Sequence, residues 1–325
     1  MRFATIGTSW ITEKFISATR TVENMDLYAV YSRSKKTAET FAEKHGASVF
    51  YTDLNALAAD KSIDAVYIAS PNKLHYEQSK FLLQHNKNVF CEKPATTTKE
   101  QMEELIALAE NNKLIYLEAI MTIHSEGFAV LKHRLSDIGI VRSAHFDFYQ
   151  LSSKYQLYVD GKNPNIFNPE MHTGCLMDIG VYNLYLAAAL FGRPEKIISD
   201  TVFLTNGCDA AGTAILKYKD LSVCLNYSKT GQTYSYSEII GDKGTIMFSS
   251  VSQLTGMYLI NADSKEELIP EEVSRDIIMG AEAAFFLRMC ESADYSDKDY
   301  IFAQRTALTV REICDTIRNN DSFLF

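Results

Sequence analysis

The stretch RFATIGTSWIT, Arg2–Thr12, decides the fold. Residues 2–6 form a short apolar run, Gly7 allows a tight turn, and helix formers follow over 12–19. A strand that passes through a glycine turn into a helix opens a βαβ unit. Working outward, the same alternation continues. Residues 27–31 read as a strand and 35–45 as a helix stopped by Gly46. Residues 47–51 are a short strand, and Asp53 caps a short helix. The unbroken apolar run 65–69 suits a strand buried on both faces. A helix over 75–84, a strand over 88–91, a long helix opened by a Thr98/Gln101 capping box, and a strand over 115–119 complete the series. Such alternation predicts a parallel sheet with right-handed crossovers over residues 1–119, a Rossmann domain.

From residue 120 the texture changes. A helical stretch (127–136) leads into strand-like runs at 141–151, 196–204, 212–217, 222–228, 234–240, 245–249 and 257–260. An apolar helix over 177–191 interrupts them, and Gly241-Asp242-Lys243-Gly244 is a good hairpin turn. Helices near 278–292 and 301–319 close the chain. The expectation is an α/β protein: the parallel Rossmann sheet, then residues 120–325 as a substrate-binding and oligomerisation domain on one large open, mostly antiparallel sheet. An open sheet leaves a face for a second copy, so a homodimer is expected.

The chemistry starts at the first turn. A dinucleotide fingerprint has three glycines, and here only Gly7 is present, with Ser9 and Thr12 at the other two positions. The backbone of Gly7, Thr8, Ser9, Trp10 and Ile11 still offers N–H groups at a helix start to a pyrophosphate. The second strand is followed by Ser32-Arg33-Ser34-Lys35-Lys36, with no carboxylate for a ribose 2′-hydroxyl. Ser32, Arg33 and Lys36 suit a 2′-phosphate, so NADP is the expected cofactor and NAD the alternative; a solvated basic loop is the competing reading.

Two further segments carry a pattern. One is Ser70-Pro71-Asn72-Lys73-Leu74-His75; the other is Cys91-Glu92-Lys93-Pro94, about twenty residues on. A third is Asp178-Ile179-Gly180-Val181-Tyr182. Together they resemble the Gfo/Idh/MocA family of oxidoreductases, with tyrosine in place of histidine in the Asp-x-Gly-x-His element. The tyrosine form and Glu118-Ala119-Ile120-Met121 are similar to the branch containing dihydrodiol dehydrogenase, xylose dehydrogenase and glucose–fructose oxidoreductase. That branch usually has an arginine after the methionine, where this chain has Thr122-Ile123-His124.

The resemblance implies hydride transfer between a nicotinamide and an alcohol or carbonyl of a sugar, polyol or dihydrodiol. It implies Lys93 and Tyr182 as the proton-transfer pair, with Asp178 orienting one of them or binding a substrate hydroxyl; Asp178 and Tyr182, four apart, would share a helix face. Ser70, Pro71, Asn72, His75, Glu92 and Lys93 are the implied cofactor contacts, and Tyr182 an implied substrate contact; His172, in a glycine-containing loop upstream of Asp178, is read as a second substrate contact, with a structural role as the competing reading. A dinucleotide-binding regulator or sensor without turnover is the alternative, favoured by the degraded glycine turn. A sensor has no need of an acid/base set.

Bulk properties narrow the partners. A formal charge of −9 repels phosphate backbones and anionic membranes, so a small-molecule substrate is expected rather than nucleic acid or membrane. Six cysteines without CxxC spacing suggest free thiols in a reducing compartment and no metal site. No signal-peptide pattern and no run of about 18 apolar residues are seen, which points to the cytoplasm.

Overall fold

The computed structural model describes residues 1–325. The chain divides into two compact units: residues 1–120 with 274–304, and residues 121–273 with 305–325.

In the first unit, β1 (Arg2–Ile6), β2 (Asp26–Tyr31), β3 (Val49–Tyr51), β4 (Ala65–Ile68), β5 (Asn88–Glu92) and β6 (Tyr116–Ala119) form one sheet in the order β3-β2-β1-β4-β5-β6, all parallel. The strand order reverses between β1 and β4, the switch point at which open α/β sheets bind ligands. The crossovers are α1 (Trp10–Thr19), α2 (Lys35–His45), α3 (Leu54–Ala59), α4 (His75–Gln84) and α5 (Lys99–Asn111). Local signals act as read. Gly46 ends α2 in the left-handed conformation, the Asp53 carboxylate accepts the Asn55 N–H, and the Thr98/Gln101 capping box is fully formed.

The second unit holds α6 (Glu126–Arg134), β7 (Val141–Tyr149), α7 (Tyr155–Val159), α8 (Val181–Phe191), and strands β8 (Lys196–Phe203), β9 (Asp209–Lys217), β10 (Ser222–Ser228), β11 (Ser237–Gly241), β12 (Thr245–Phe248), β13 (Met257–Ile260) and β14 (Lys265–Ile269). They make an eight-stranded sheet, β14-β13-β12-β11-β7-β10-β9-β8. Every pairing is antiparallel except β7 with β10, which run parallel in the middle. The hairpin at Gly241–Gly244 closes with the Gly241 N–H on the Gly244 carbonyl at 2.9 Å. The sequence pattern does not announce β14: Lys265-Glu-Glu carries charge on successive positions, and only Ile269 at its end is buried.

One expectation needs correction. The sequence predicts a second domain running unbroken to 325, but α9 (Arg275–Ser292) and the first turns of α10 (Lys298–Asn320) belong to the first unit. The reason is a packed face. Phe286 of α9 stacks on Phe90 at 4.8 Å, Ser17 Oγ donates to Asp276 at 2.6 Å, and Gln304 Nε2 donates to the Tyr116 carbonyl at 2.7 Å. Burying a phenylalanine such as Phe286 is worth about 1.5–3 kcal/mol. The helical segment Pro169–Phe191 is long and apolar enough by composition to cross a membrane, but 72% of its most apolar 18-residue window is buried inside the protein. It serves as the core helix beneath the sheet.

Candidate active site

At the carboxyl ends of β1, β2 and β4 lies a cavity of about 360 Å³, lined by Gly7, Thr8, Ser9, Ser32, Arg33, Ser70 and Pro71 among others. Gly7 has φ +110°, and a Cβ there would lie 2.4 Å from the Ala69 carbonyl oxygen. Only glycine lets β1 turn this close to β4. Ser9 is the N-cap of α1, but its side chain accepts no N–H of the helix. The first N–H groups of α1 therefore remain available to an anion. Arg33 is exposed on the cavity rim. These donors fit a phosphorylated dinucleotide, with the helix start for the pyrophosphate and Ser32 and Arg33 for a 2′-phosphate.

Trp10 and Ile11 open α1 beside this cavity. Trp10 is 63% exposed, with the Arg275 guanidinium 5.6 Å from its ring centroid. Arg275 comes from α9, so no local signal could have placed it there. Lys36 lies exposed in the first turn of α2, outside the cavity lining. Asn72 is half-buried in a one-turn helix before α4.

Two expected cofactor contacts turn inward. His75 is buried, its Nδ1 2.9 Å from the Pro94 carbonyl and its Nε2 2.7 Å from the Ser70 carbonyl. Burial pushes its imidazole pKa down. Each ring nitrogen thus faces a backbone carbonyl, one of which takes the ring N–H, and the ring lies between the Ser70 turn and the turn after Lys93. Glu92 is buried too: it accepts the Tyr67 hydroxyl at 2.5 Å and the Lys93 N–H at 3.2 Å, and burial raises its pKa. Glu118 likewise accepts the Ala95 N–H at 3.0 Å. The Glu-Lys-Pro turn is therefore braced from below by Glu92, Glu118 and His75. Lys93 itself is half-buried immediately beyond β5, one strand over from β4.

In the second unit Asp178 lies in a π-helical turn, Leu176–Gly180, and Tyr182 in the first turn of α8. The turn that carries Asp178 is thus π-helical rather than α-helical, and the α-helix proper starts at Val181. Gly180 allows the close approach of Tyr227, whose ring carbons a Cβ would meet at 3.0–3.2 Å. Asn183 Nδ2 donates to the Phe146 and Asn226 carbonyls at 3.1 and 2.9 Å, pinning α8 to the parallel strand pair. Tyr182 packs edge-on against Phe148 at 5.7 Å. His172 adopts the left-handed conformation after a short turn and stacks on Phe325 at 5.3 Å. Thr122, where an arginine would be usual, is buried and donates to the Ser252 carbonyl at 2.8 Å.

Sequence reasoning does not find Lys229. It is 6% exposed and ion-paired to Asp178. It stands 51 residues from its partner, and a lone lysine after a strand gives no signal of burial.

The chain was compared with known proteins. Residues 1–119 match the oxidoreductase family with an NAD-binding Rossmann fold, and residues 132–247 match the GFO/IDH/MocA C-terminal domain. The chain is 42% identical over 251 residues to scyllo-inositol 2-dehydrogenase (NADP(+)) IolU of Bacillus subtilis, covering 77% of this chain and 76% of that one. It is 27% identical over 270 residues to trans-1,2-dihydrobenzene-1,2-diol dehydrogenase of Xenopus tropicalis, covering 80% and 78%. Among solved structures, a 3-ketoreductase from Actinomadura kijaniata, crystallised with NADP and TDP-benzene, superposes with TM-score 0.86 at 22% identity over 99% of this chain and 98% of that one. With both of its domains matched and the expected two-sheet architecture present, the chain belongs to the GFO/IDH/MocA family of NAD(P)-dependent oxidoreductases.

Proposed function

We propose that this chain is an NADP-dependent dehydrogenase that interconverts a secondary alcohol and a ketone on a polyol of the inositol type. The observation that carries the reading is the cavity at the β1/β4 switch point, where the open start of α1 and Arg33 offer two separate anion positions. The 42% identity to an NADP-dependent scyllo-inositol dehydrogenase supports the cofactor and the substrate class. Sugars and dihydrodiols are the neighbouring classes.

The bound nicotinamide would accept or supply the hydride. The protein's own task is to move the proton. Tyr182 is assigned as the group that takes the proton of the reacting hydroxyl in the oxidative direction and returns it in the reductive one. A phenol ionises near pH 10 unaided, so it needs a positive neighbour to work at neutral pH. Lys93 is assigned that role, sharing the proton as a coupled pair with Tyr182. Asp178 orients the set. His172 is assigned to the substrate. Asn72 and Ser70 complete the cofactor contacts.

A homodimer accompanies the reading. The cross-strand row Ile198, Ile215, Cys224 and His145 lies on one face of the open sheet, and Ile198 and Ile215 are 45% and 36% exposed. A second copy would cover that face, and a monomer in sedimentation at micromolar concentration would contradict it.

The test of function is NADP+ reduction against a panel of inositols, sugars and diols, with Lys93→Met and Tyr182→Phe alongside. Lys93→Met should lower turnover by about two to four orders of magnitude while NADP+ affinity changes far less. Near-full activity in that variant would refute the assignment. Cofactor binding with no turnover on any class would favour the sensor reading instead.

A further inference from the structure

We propose that Lys229 is a positioning residue of this reaction: its ammonium fixes the Asp178 carboxylate, and with it the turn that presents Tyr182. The inference rests on the assignment of Asp178 and Tyr182 above.

Lys229 follows β10 directly and extends its ladder. Its N–H donates to the Ala210 carbonyl at 2.9 Å, and its carbonyl accepts the Ser152 N–H at 2.9 Å. The backbone is therefore held on both sides, and the side chain runs inward to Asp178 Oδ2. On the neighbouring strand, Asp209 at the start of β9 is fully buried, and its Oδ2 accepts the Leu176 N–H at 2.6 Å. Two opposite charges at adjacent strand ends thus grip one π turn. Asp209 holds its backbone at Leu176, and Lys229 holds its side chain at Asp178. Four residues on, in the next turn, stands Tyr182.

Stability alone does not account for this arrangement. A buried ion pair seldom stabilises more than apolar side chains of the same volume would, whereas it fixes position sharply. A π turn inside a helix is itself a departure from the most stable local structure, and such turns concentrate at functional sites. The ionisable groups around Lys229 are Asp178 from the π turn, Asp209 from β9, and the thiols of Cys175 and Cys208, which burial holds in the neutral form. Lys229 thus brings a positive charge to both carboxylates. Removing it would take a positive charge away from Asp178, one turn from the phenol, and release a tether of that turn, and the lost positive charge opposes formation of the phenolate.

The experiment is a spectroscopic titration of tyrosine ionisation in the intact protein. The Tyr182 transition is taken as the difference between wild type and Tyr182→Phe, and the same difference is recorded in Lys229→Met and Lys229→Arg backgrounds. Lys229→Met should raise the Tyr182 midpoint by about one pH unit or more, and Lys229→Arg should restore it toward wild type. In turnover with NADP+ and scyllo-inositol as the probe pair, Lys229→Met should lower kcat at least tenfold and leave the KM for NADP+ within twofold. An unchanged Tyr182 midpoint in folded Lys229→Met overturns the proposal. So does an equal loss in the Arg variant, which would mark Lys229 as packing alone. If Lys229→Met does not fold, Lys229→Arg with Asp178→Asn supplies the same comparison: the Asn variant should shift the midpoint down, and no shift refutes the coupling. The spectroscopic arm needs no substrate. A wild-type protein inactive on scyllo-inositol counts against the substrate reading, and inactivity of Lys93→Met with full activity of Tyr182→Phe counts against the acid/base reading, each without touching the midpoint.

Discussion

Gly7→Ala tests whether the close approach of β1 to β4 is what builds the cofactor cavity. At φ +110° an L-residue is strained by about 1–3 kcal/mol. The new Cβ would also lie 2.4 Å from the Ala69 oxygen and 2.8 Å from its carbonyl carbon. Contact between such atoms is comfortable only near about 3.5 Å, so the end of β4 must retreat by about 1 Å. Displacing packed backbone adds about 1–3 kcal/mol. The total of about 2–5 kcal/mol should lower the melting temperature by roughly 5–15 °C at this size. The Ala69 N–H donates to the Ile6 carbonyl at 2.7 Å, and the next residue, Ser70, lines the cavity with its carbonyl 2.7 Å from His75 Nε2. The same shift should therefore weaken NADPH binding by about tenfold or more, equivalent to about 1.4 kcal/mol. Gly46→Ala is the control: φ is +78°, and a Cβ there meets nothing within 4 Å. It should lose about 1 kcal/mol to strain and keep full cofactor affinity. Calorimetry and binding titration on the three proteins decide. A Gly7→Ala protein with wild-type melting and NADPH affinity within twofold would refute the reasoning.

Arg33→Ala should weaken NADP binding by at least tenfold and NAD binding by less than twofold, because only the former carries a 2′-phosphate; equal losses would remove Arg33 from that role. Trp10 is the single tryptophan and opens α1 beside the cavity, so NADPH should quench the protein's intrinsic emission saturably, and a titration with no change would place the cofactor elsewhere. Burial raises the Asp209 carboxyl from 3.8 to about 6. The folded state then holds that proton more tightly than the unfolded one, so the contribution to stability is complete below about pH 4 and is lost as pH rises through 6. It is worth about 3 kcal/mol, because each tenfold gain in proton affinity on folding contributes about 1.4 kcal/mol. Asp209→Asn should flatten the fall of wild-type stability between pH 4 and 6 in denaturant melts, and parallel curves for the two proteins would show that Asp209 does not titrate in that range.

Whatever depends on neighbours along the chain can be read from the chain alone. The parallel sheet of the first unit follows from apolar strands alternating with helices whose stops are chemical, such as Gly46 in the left-handed region and the Thr98/Gln101 capping box. The hairpin at Gly241–Gly244 follows from its turn residues. The cofactor turn, Arg33, Lys93, Asp178 and Tyr182 are legible because each sits where a strand or helix pattern ends, or within a motif whose spacing is fixed. What depends on distant residues is settled only when the chain has folded. A strand's own sequence does not say which way its neighbour runs, so the parallel β7–β10 pair inside an antiparallel sheet is invisible in the sequence. Residues 274–304 join the first unit because Phe286 finds Phe90, a contact nearly two hundred residues apart. The resemblance implies His75 and Glu92 as cofactor contacts because both stand in its motifs. The fold instead buries them against Pro94, Ser70 and Tyr67. Lys229 is the furthest from view: its burial exists only once β10 has been laid beside β9 and under the turn of Asp178. A charge shows its role in sequence only when its partner is near in the chain, and the partners that fix this site are near only in space.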